Sequence, residues 1–542
     1  MDFNPIPFNV LAGLVYWLIV AGTGLLMLTG VTFLTLVASR GKDGIRTFGQ
    51  HVGGAFSDFA SLSPRRIGAI AKLTFLESYR RRALLVFVVF GVLFMFAGWF
   101  LAGGDLVPYA QVKLYVSFVL RTISWLVLPV TLLLACWGIP EDIRIRSLHT
   151  VVTKPVRRLE VVLGRMVGFG LISTLILAVM GTAGYIWIQQ QIAPEARSEL
   201  TCRRPIFGEL SFLDRAGNPA QLGINVGDLW EYRSFIEGAT KARAIWTFHN
   251  VDASDLTPEG DILIENRLQA FRSHKGNMNR PLLYQLVFVN PEKNLRVGTQ
   301  LRQVNEFRGQ TDTIPRTLPK TGEAVGGQAE TVEGETVDLI NDLVTKDGKL
   351  TVEVLCIDPG QYLGMARTDL FIRTPDGSFL AGYLKCMVGL EMMTLLVVFL
   401  GVTASTFLKG PVATLLTFCL IIIGQGAREF MLQMVNGRLD GGGVFESIYR
   451  IIMHMNPTTE LPAGPTFFFM RLVDFGLNRF VWLMSQIIPN FDYFNMAPYL
   501  ANGFDILFDS SVLPSIAVTL GFFLPCVFVG YLALRIRELE AK

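Results

Sequence analysis

Long runs of uncharged, apolar residues are the feature that most restricts what this chain can fold into. A helix needs about 20 mostly apolar residues, each adding about 1.5 Å, to cross a hydrocarbon core of roughly 30 Å. Only 17% of the 542 residues are charged, compared with about 25% in soluble proteins. The sequence therefore predicts an α-helical integral membrane bundle with about seven spans. They are residues 3–39, 83–102, 122–139, 166–188, 392–408, 411–427 and 511–534.

The sequence carries no motif for chemistry of its own. It has no GxxxxGK[ST] phosphate loop, no HExxH or CxxC motif and no GxSxG nucleophile motif. The five histidines are scattered over different segments, and no long basic run suggests a nucleic acid. We therefore predict no catalytic residue, no metal, no cofactor and no nucleic-acid partner, and we expect that this chain is not an enzyme.

The distribution of basic residues predicts the orientation in the membrane, because short cytoplasmic loops are enriched in Lys and Arg. Residues 40–82 contain nine basic residues and residues 140–165 contain six, whereas residues 103–113 contain one. This bias predicts a multi-pass protein of the cell (inner) membrane with its N-terminus outside and its C-terminus in the cytoplasm. The polar insert between the fourth and fifth spans is then outside.

Residues 465–488 leave the number of spans open. The segment is long enough to cross a membrane, but it holds Arg471, Asp474 and Arg479. A charge at the centre of a span costs about 2.5 to 3.5 kcal/mol on insertion scales. A spanning segment would also move the basic C-terminal tail outside. We prefer a helix that lies in the outer interface or is partly re-entrant, with a spanning helix as the alternative.

Two amphipathic segments are predicted on the cytoplasmic side. In residues 64–82 an apolar stripe runs between basic ends, which is typical of a helix in the membrane interface. In residues 140–155, Pro140 followed by Glu141 and Asp142 suits the start of a helix, and a proline suits its end. This second segment is either a transverse helix that contacts a partner or an ordinary connector.

Residues 189–385 are long enough for a core of their own and are predicted to form a mainly-β domain. Residues 350–358 alternate between apolar and polar side chains, and LLYQLVFV before Asn290-Pro291 is a short apolar run, so both are predicted strands. The sequence DLFIRTPDGSFL suggests a hairpin with its turn at Pro375-Asp376-Gly377. A β-sandwich is the arrangement that these strands favour.

Two further features of the insert are less regular. Residues 311–336 contain few apolar residues and many Gly, Pro, Thr and Glu, so a mobile loop is expected. Cys202 and Cys356 both lie in the insert and could pair in an oxidising compartment, but no spacing rule supports the pair and the sequence leaves it open.

Four ionisable residues in or beside the predicted spans need an explanation, since such residues usually face a bundle interior or water. Two hypotheses remain open: they line a translocation path, or they reach the outer interface and pair structurally. The four are Arg121, Glu391, Arg428 and Glu429.

From residue 67 to the C-terminus the sequence resembles the membrane subunit of the type-2 ABC exporter superfamily. The resemblance rests on KLTFLESYRRR before the second span, on Lys154-Pro155-Val156-Arg157-Arg158 and Gly164-Arg165 at the entry of the fourth span, on IPNFDYFN before the last span, and on GYLALRIREL in the tail. The chain departs from the family where Arg146-Ser147 replaces an acid followed by Gly-Thr, where Gly164-Arg165 replaces Gly-Lys, and in its large insert.

The resemblance implies a permease subunit that works with a separate ABC ATP-binding subunit, in a homo- or heterodimer of membrane subunits within the lipid bilayer. Closure of the ATPases would push a coupling helix at 140–155. Its docking face would consist of Glu141, Asp142, Arg144, Ile145 and Leu148. The substrate is not implied. The alternative from a different class is a non-transporting scaffold or sensor that displays the β-domain, and an integral-membrane enzyme is a third, disfavoured option.

In this organisation the second to seventh spans form a six-helix core and the first span is an addition. The predicted segments are an N-terminal transmembrane helix at 1–40, a cytoplasmic segment with the amphipathic elbow helix at 41–82, core spans 1–3 with the coupling helix at 83–188, an extracytoplasmic β-rich domain at 189–385, core spans 4–5 at 386–435, an extracytoplasmic loop with an interfacial helix at 436–510, and the last core span with the cytoplasmic tail at 511–542.

Overall fold

The structure is a computed structural model with two compact units. Among the described residues, the strand unit comprises Thr201–Phe379 and Gly503–Asp505, and the helical unit comprises the rest of the chain. The structure describes residues 7–80, 85–101, 108–144, 156–220, 222–224, 232–272, 281–304, 309–323, 331–436, 442–456, 459, 461 and 464–540.

The helical unit is built from long apolar helices joined by shorter amphipathic ones. Three short segments, Ile423–Ala427, Phe491–Phe494 and Phe508–Val512, form single π or 3₁₀ turns next to them. The α-helices are α1 (Val10–Arg40), α2 (Lys42–Ala60), α3 (Pro64–Arg80), α4 (Leu85–Leu101), α5 (Pro108–Arg144), α6 (Arg158–Gln191), α7 (Phe379–Phe407), α8 (Gly410–Ile422), α9 (Arg428–Val435), α10 (Val444–Ile452), α11 (Pro465–Ile487), α12 (Ala497–Ala501) and α13 (Leu513–Glu540).

Six helices in the described part of the chain are long and apolar enough to cross a membrane. They correspond to six of the seven predicted spans, so the chain is a helical membrane protein with a mainly-β region. The predicted span at 83–102 is described as α4, whose apolar part, Leu85–Ala97, is shorter than the other six. The six segments are Val10–Thr35, Pro108–Arg144, Arg158–Gln191, Phe379–Phe407, Gly410–Ala427 and Phe508–Arg535.

The helix start predicted at Pro140 is wrong, because α5 continues through both Pro129 and Pro140 and ends at Arg144. A proline inside a helix removes one backbone hydrogen bond and usually bends the helix. Here the surrounding bundle keeps the helix continuous, since Ile139 is fully buried and Asp142 nearly so. The acidic residues therefore belong to the last turn of a long helix and do not open a new one.

The helices α10 and α11 expose apolar side chains and bury polar ones. The carboxylate of Asp474 in α11 accepts hydrogen bonds from the backbone N–H groups of Phe445 (2.8 Å) and Glu446 (3.0 Å), the first turn of α10. Arg450 is buried and pairs with Glu446 at 2.7 Å. The predicted interfacial helix at 465–488 is thus a single helix, and it is not among the six apolar segments described above.

The strand unit contains three antiparallel sheets in the described residues. In order across each sheet they are β1-β16-β6-β11, β13-β12-β9-β8-β14-β5-β2-β3 with β10 beside β8, and β4-β15-β7. The strands are β1 (Thr201–Phe207), β2 (Glu209–Leu213), β3 (Pro219–Ala220), β4 (Ser234–Glu237), β5 (Arg243–Phe248), β6 (Ile262–Asn266), β7 (Gln269–Arg272), β8 (Leu283–Asn290), β9 (Leu295–Gly298), β10 (Arg302–Gln303), β11 (Gln310–Ile314), β12 (Thr317–Thr321), β13 (Thr331–Asp338), β14 (Leu350–Cys356), β15 (Gln361–Met365) and β16 (Leu370–Ser378).

Strands β8 and β14, which the sequence predicts, lie side by side at the centre of the largest sheet. Their side chains are buried almost throughout, together with Trp246 and Phe248 of β5. A buried polar network joins this sheet to β6 and β11 of the four-stranded sheet. In it Asp312 accepts hydrogen bonds from Tyr284 (2.5 Å), Asn266 (2.8 Å) and Arg302 (2.7 Å).

Two predictions for the insert are wrong. The residues Pro375-Asp376-Gly377 form no hairpin turn, because β16 runs through them and pairs with β1, with an irregularity between Cys202 and Arg204 that absorbs the extra residue. The loop expected at 311–336 contains β11, β12 and the start of β13 in its described residues. Thr-rich strands at the edge of a sheet need little apolar surface, so composition alone is a poor guide there.

The suggested pairing of Cys202 with Cys356 is not formed. Both residues are buried with free thiols, Cys202 in β1 and Cys356 in β14, which belong to different sheets. The strand unit also takes in Gly503–Asp505 from far along the chain. There the N–H of Arg203 donates to the carbonyl of Gly503 at 2.7 Å, and the N–H of Asp505 donates to the carbonyl of Arg203 at 2.8 Å.

Candidate functional site

The helix α3, which corresponds to the predicted elbow, packs along α6 through small residues. A Cβ atom on Gly168 would lie 2.5 Å from Cβ of Thr74, and one on Gly164 would lie 2.6 Å from Cβ of Ile70. Small residues allow this close approach, which is common between helices in membranes. On the far side of α3, Leu73 and Leu76 are exposed. The apolar stripe predicted from sequence is therefore only partly the face that α3 turns to the bundle.

Arg165 connects three helices at the end of this contact. Its guanidinium donates to Glu77 of α3 at 2.8 Å and also to Asp142 in the last turn of α5. Arg165 and Asp142 are 6% and 3% exposed, so the pair is removed from water. Buried charges are stable only when they are paired and hydrogen bonded. The pair therefore ties the end of α5 to α3 and α6.

Glu160 is the second buried charge, and it anchors the start of α6 to the start of α3. It is fully buried and accepts hydrogen bonds from the side chain of Arg66 (2.7 Å), from the N–H of Ser63 (3.0 Å) and from the N–H of Arg157 (3.0 Å). The last of these closes a capping interaction at the first turn of α6. These contacts fix the point at which the chain enters α6.

Asp58 extends the same set of contacts to α2 and α13. Its carboxylate accepts from the side chain of Arg157 at 2.8 Å and from the hydroxyl of Tyr531 at 2.8 Å, and Arg535 donates to that hydroxyl at 3.2 Å. Five helices thus meet at one end of the helical unit. We call this the charged cluster, which consists of Asp58, Arg66, Glu77, Asp142, Arg157, Glu160, Arg165 and Tyr531.

Asp58, Glu77 and Glu160 are site residues that were not predicted from sequence. The available signal was local: Glu77 is the acid within KLTFLESYRRR, and Glu160 lies at the start of a span. An ionised residue at such a position requires a partner. The Gly164-Arg165 pair has a direct physical role here, because Gly164 admits Ile70 of α3 and Arg165 binds Glu77 of the same helix.

The predicted docking residues separate into two kinds. Asp142 is buried in the charged cluster, so its carboxylate does not face a partner in this structure. Glu141 pairs with Arg144 at 2.7 Å, and the Arg144 side chain is 77% exposed. Ile145 and Leu148 lie outside the described residues. The accessible charges at the end of α5 are therefore those of Glu141 and Arg144.

Of the four residues predicted for a translocation path or an interface, the three whose side chains the structure describes, Arg121, Glu391 and Arg428, form no hydrogen bond or ion pair with one another. Glu391 in α7 accepts a hydrogen bond from Thr174 of α6 at 2.7 Å. Arg121 in α5 lines a cavity that Glu391 does not reach. Arg428 begins α9, and its Nε atom is buried without a hydrogen-bond partner in the described structure. Glu429 lies in α9, and its side chain is outside the described part.

The IPNFDYFN element forms a tight turn that closes this cavity. Phe491 and Phe494 are buried in the helical core, and a Cβ atom on Gly424 would lie 2.4 Å from the ring of Phe491. The element thus packs against the π turn at Ile423–Ala427.

No protein-family model, curated protein or solved structure matches this chain.

Proposed function

We propose that this chain is the membrane subunit of an ABC transporter of the type-2 exporter superfamily, driven by a separate ATP-binding subunit. The observation that carries the proposal is the charged cluster. Two of its residues flank the segment 145–155. Asp142 precedes the segment and Arg157 follows it, and each forms an ion pair with a neighbouring helix. A force on that segment would reach α3, α5 and α6 together.

The rest of the proposal follows from sequence. Lys and Arg residues cluster around the segments that carry the charged cluster, so this end of the bundle is proposed to face the cytoplasm, where ATP is available. The membrane is proposed to be the cell (inner) membrane, with the N-terminus outside. A functional complex would contain two membrane subunits and two ATPases. The complex would export a substrate or couple to it mechanically.

The test combines purification with a charge swap. The tagged full-length chain, isolated from cells that express it naturally, should bring down an ATPase with a GxxxxGK[ST] motif, and the complex should hydrolyse ATP faster than the isolated ATPase. The changes Glu141→Lys and Arg144→Glu should each reduce that stimulation at least tenfold. The double variant Glu141→Arg with Arg144→Glu can form the ion pair again. It exchanges the positions of the positive and the negative charge that the surface presents to a partner.

The double variant separates docking from stability. If Glu141 and Arg144 only stabilise the helix end, the swap should restore stimulation; if they bind the ATPase, stimulation should stay low. Lys113→Gln, at the other end of α5, is the control and should leave stimulation unchanged. Absence of any such ATPase, or full stimulation in all variants, would contradict the proposal.

One observation favours a second candidate, a non-transporting scaffold or sensor. The strand unit has a large buried core of its own, which includes Trp246, Tyr284 and Phe288. Such a unit would fold as a displayed binding module. A scaffold predicts a complex whose stoichiometry and activity do not change with ATP, so the ATPase measurements above also discriminate the two functions.

A further inference from the structure

A cavity of about 270 Å³ opens in the helical unit next to Arg121. Its walls come from α5, α7, the π turn at Ile423–Ala427 and the IPNFDYFN turn. The apolar part is contributed by residues such as Leu390 and Phe491. Its polar groups are Arg121, Ser124, Gln425, Asp492 and Asn495. The cavity therefore combines an apolar wall with a small number of converging polar groups, which is typical of a ligand site.

Arg121 is the unusual member of this set. Its side chain is exposed, and among the described residues it makes no hydrogen bond and no ion pair. A guanidinium carries five N–H donors in a planar fork that matches a phosphate or carboxylate group. An arginine in a predominantly apolar helix without a protein partner is therefore available to an anionic ligand.

The position of Arg121 along α5 indicates how deep in the membrane an anionic ligand of this residue would lie. Between Arg121 and Glu141 lie 19 uncharged residues, 122–140, which as a helix extend about 28 Å. This length matches the roughly 30 Å hydrocarbon core of a bilayer. When α5 crosses the membrane, Arg121 lies at the level of the lipid headgroups on one side and Glu141 at the level of those on the other.

We propose that the cavity binds the phosphate-bearing headgroup of a membrane lipid, with Arg121 on the phosphate. Ser124 lies one turn further along α5 and adds a hydroxyl donor. Trp125 is 80% exposed beside Arg121, as expected for an indole ring at the border of the hydrocarbon region. The site is independent of the proposed coupling to an ATPase.

The site can be tested with the purified full-length chain in a nonionic detergent, by native mass spectrometry. Three probes separate the sources of phosphate: palmitoyl-oleoyl phosphatidylethanolamine, palmitoyl-oleoyl glycerol with the same acyl chains but no phosphate, and O-phosphoethanolamine without acyl chains. The wild-type chain should bind phosphatidylethanolamine at least about tenfold more tightly than either of the other two probes.

Charge variants assign the binding to Arg121. Arg121→Gln should weaken phosphatidylethanolamine binding about tenfold or more, because a charge-assisted hydrogen bond to the phosphate is lost. Arg121→Lys keeps the charge and should weaken it less. Lys113→Gln removes an equal charge about two turns earlier in α5 and should change binding less than about twofold. Thermal unfolding of the variants verifies that each one is folded.

Three results would overturn the proposal. Equal affinities of Arg121→Gln and Lys113→Gln would show that Arg121 holds no phosphate. Equal binding of the glycerol lipid would show that the phosphate is not recognised. Equal binding of O-phosphoethanolamine would show that the ligand is a soluble phosphate compound and not a lipid.

Discussion

Arg165 of α6 donates a hydrogen bond to the carboxylate of Asp142 in the last turn of α5, and both residues are almost completely buried. The same guanidinium binds Glu77 of α3. These contacts of Arg165 therefore link the end of α5, the start of α6 and α3. The pair with Arg165 also distinguishes Asp142 from Glu141, which is partly exposed and pairs with Arg144, although the two acids are adjacent in sequence.

Removal of the Asp142 carboxylate should destabilise the protein far more than removal of its neighbour. Asp142→Ala leaves Arg165 with Glu77 alone and should cost about 3 kcal/mol, because it breaks a buried pair. Glu141→Ala removes a partly exposed pair with Arg144, in which Arg144 is 77% and Glu141 24% exposed, and should cost less than about 1 kcal/mol. Unfolding in mixed micelles of increasing SDS fraction measures both. Similar losses in the two variants would contradict the burial of Asp142.

The close contact of α3 with α6 should not tolerate a larger residue at Gly168. Gly168→Val would drive its side chain into Thr74 and the carbonyl of Ala71, with a cost of about 1 to 3 kcal/mol or more. Gly68→Val in α3 is the matched control, since a Cβ atom there meets no atom within 4 Å. The same SDS unfolding measurement applies. Equal stabilities of the two variants would mean that α3 does not lie against α6.

The thiol of Cys356 should be inert in the folded strand unit. Burial raises its pKa from an ordinary value of 9.0 to about 12. At pH 8 the thiolate fraction then falls from about one in ten to about one in 10⁴, and only the thiolate reacts with alkylating reagents. Mass spectrometry should find Cys202 and Cys356 unlabelled by iodoacetamide in the native chain, and both labelled after unfolding without reductant. A disulfide would leave both unlabelled in each case.

The same pKa predicts how stability depends on pH. With the folded pKa above the unfolded one, the contribution of Cys356 is complete below pH 9 and is lost as the pH rises towards 12. Each pH unit in this window costs up to about 1.4 kcal/mol, because only the unfolded chain releases the proton. Burial also raises the pKa of Tyr284, which acts in the same direction. Unfolding of wild type and Cys356→Ala between pH 8 and 11 should show a shallower loss in the variant.

Asp474 should control the first turn of α10, although it belongs to α11. Asp474→Ala removes the acceptor for two N–H groups and should lower the stability of that turn by about 1 kcal/mol. Hydrogen exchange of residues 444–452 should then accelerate roughly fivefold. Asp474→Asn keeps one carbonyl acceptor, so its exchange rate should lie between that of the wild type and that of Asp474→Ala. Arg479→Ala, on the same helix, is the control. Unchanged exchange in Asp474→Ala would exclude the capping role.

Local sequence patterns were sufficient for the class of protein and for several elements. Uncharged runs identify six of the apolar helices because the cost of burying a charge in lipid acts on each residue separately. Strands β8 and β14 were predictable from local patterns, which are a continuous apolar run in β8 and alternation of apolar and polar residues in β14. Gly164 and Arg165 both contact α3, but this role depends on the packing of the two helices.

Other features depend on contacts between residues that are far apart in the chain. Whether Asp142 faces solvent or Arg165 depends on where α6 packs, and whether Pro375-Asp376-Gly377 turns or continues depends on its pairing with β1. The inclusion of Gly503–Asp505 in the strand unit has no local signal at all. Which segments avoid water can be predicted from the residues alone, because that preference is a property of each side chain. Which charges are buried together depends on folding, because an ion pair needs two surfaces that meet only in the folded chain.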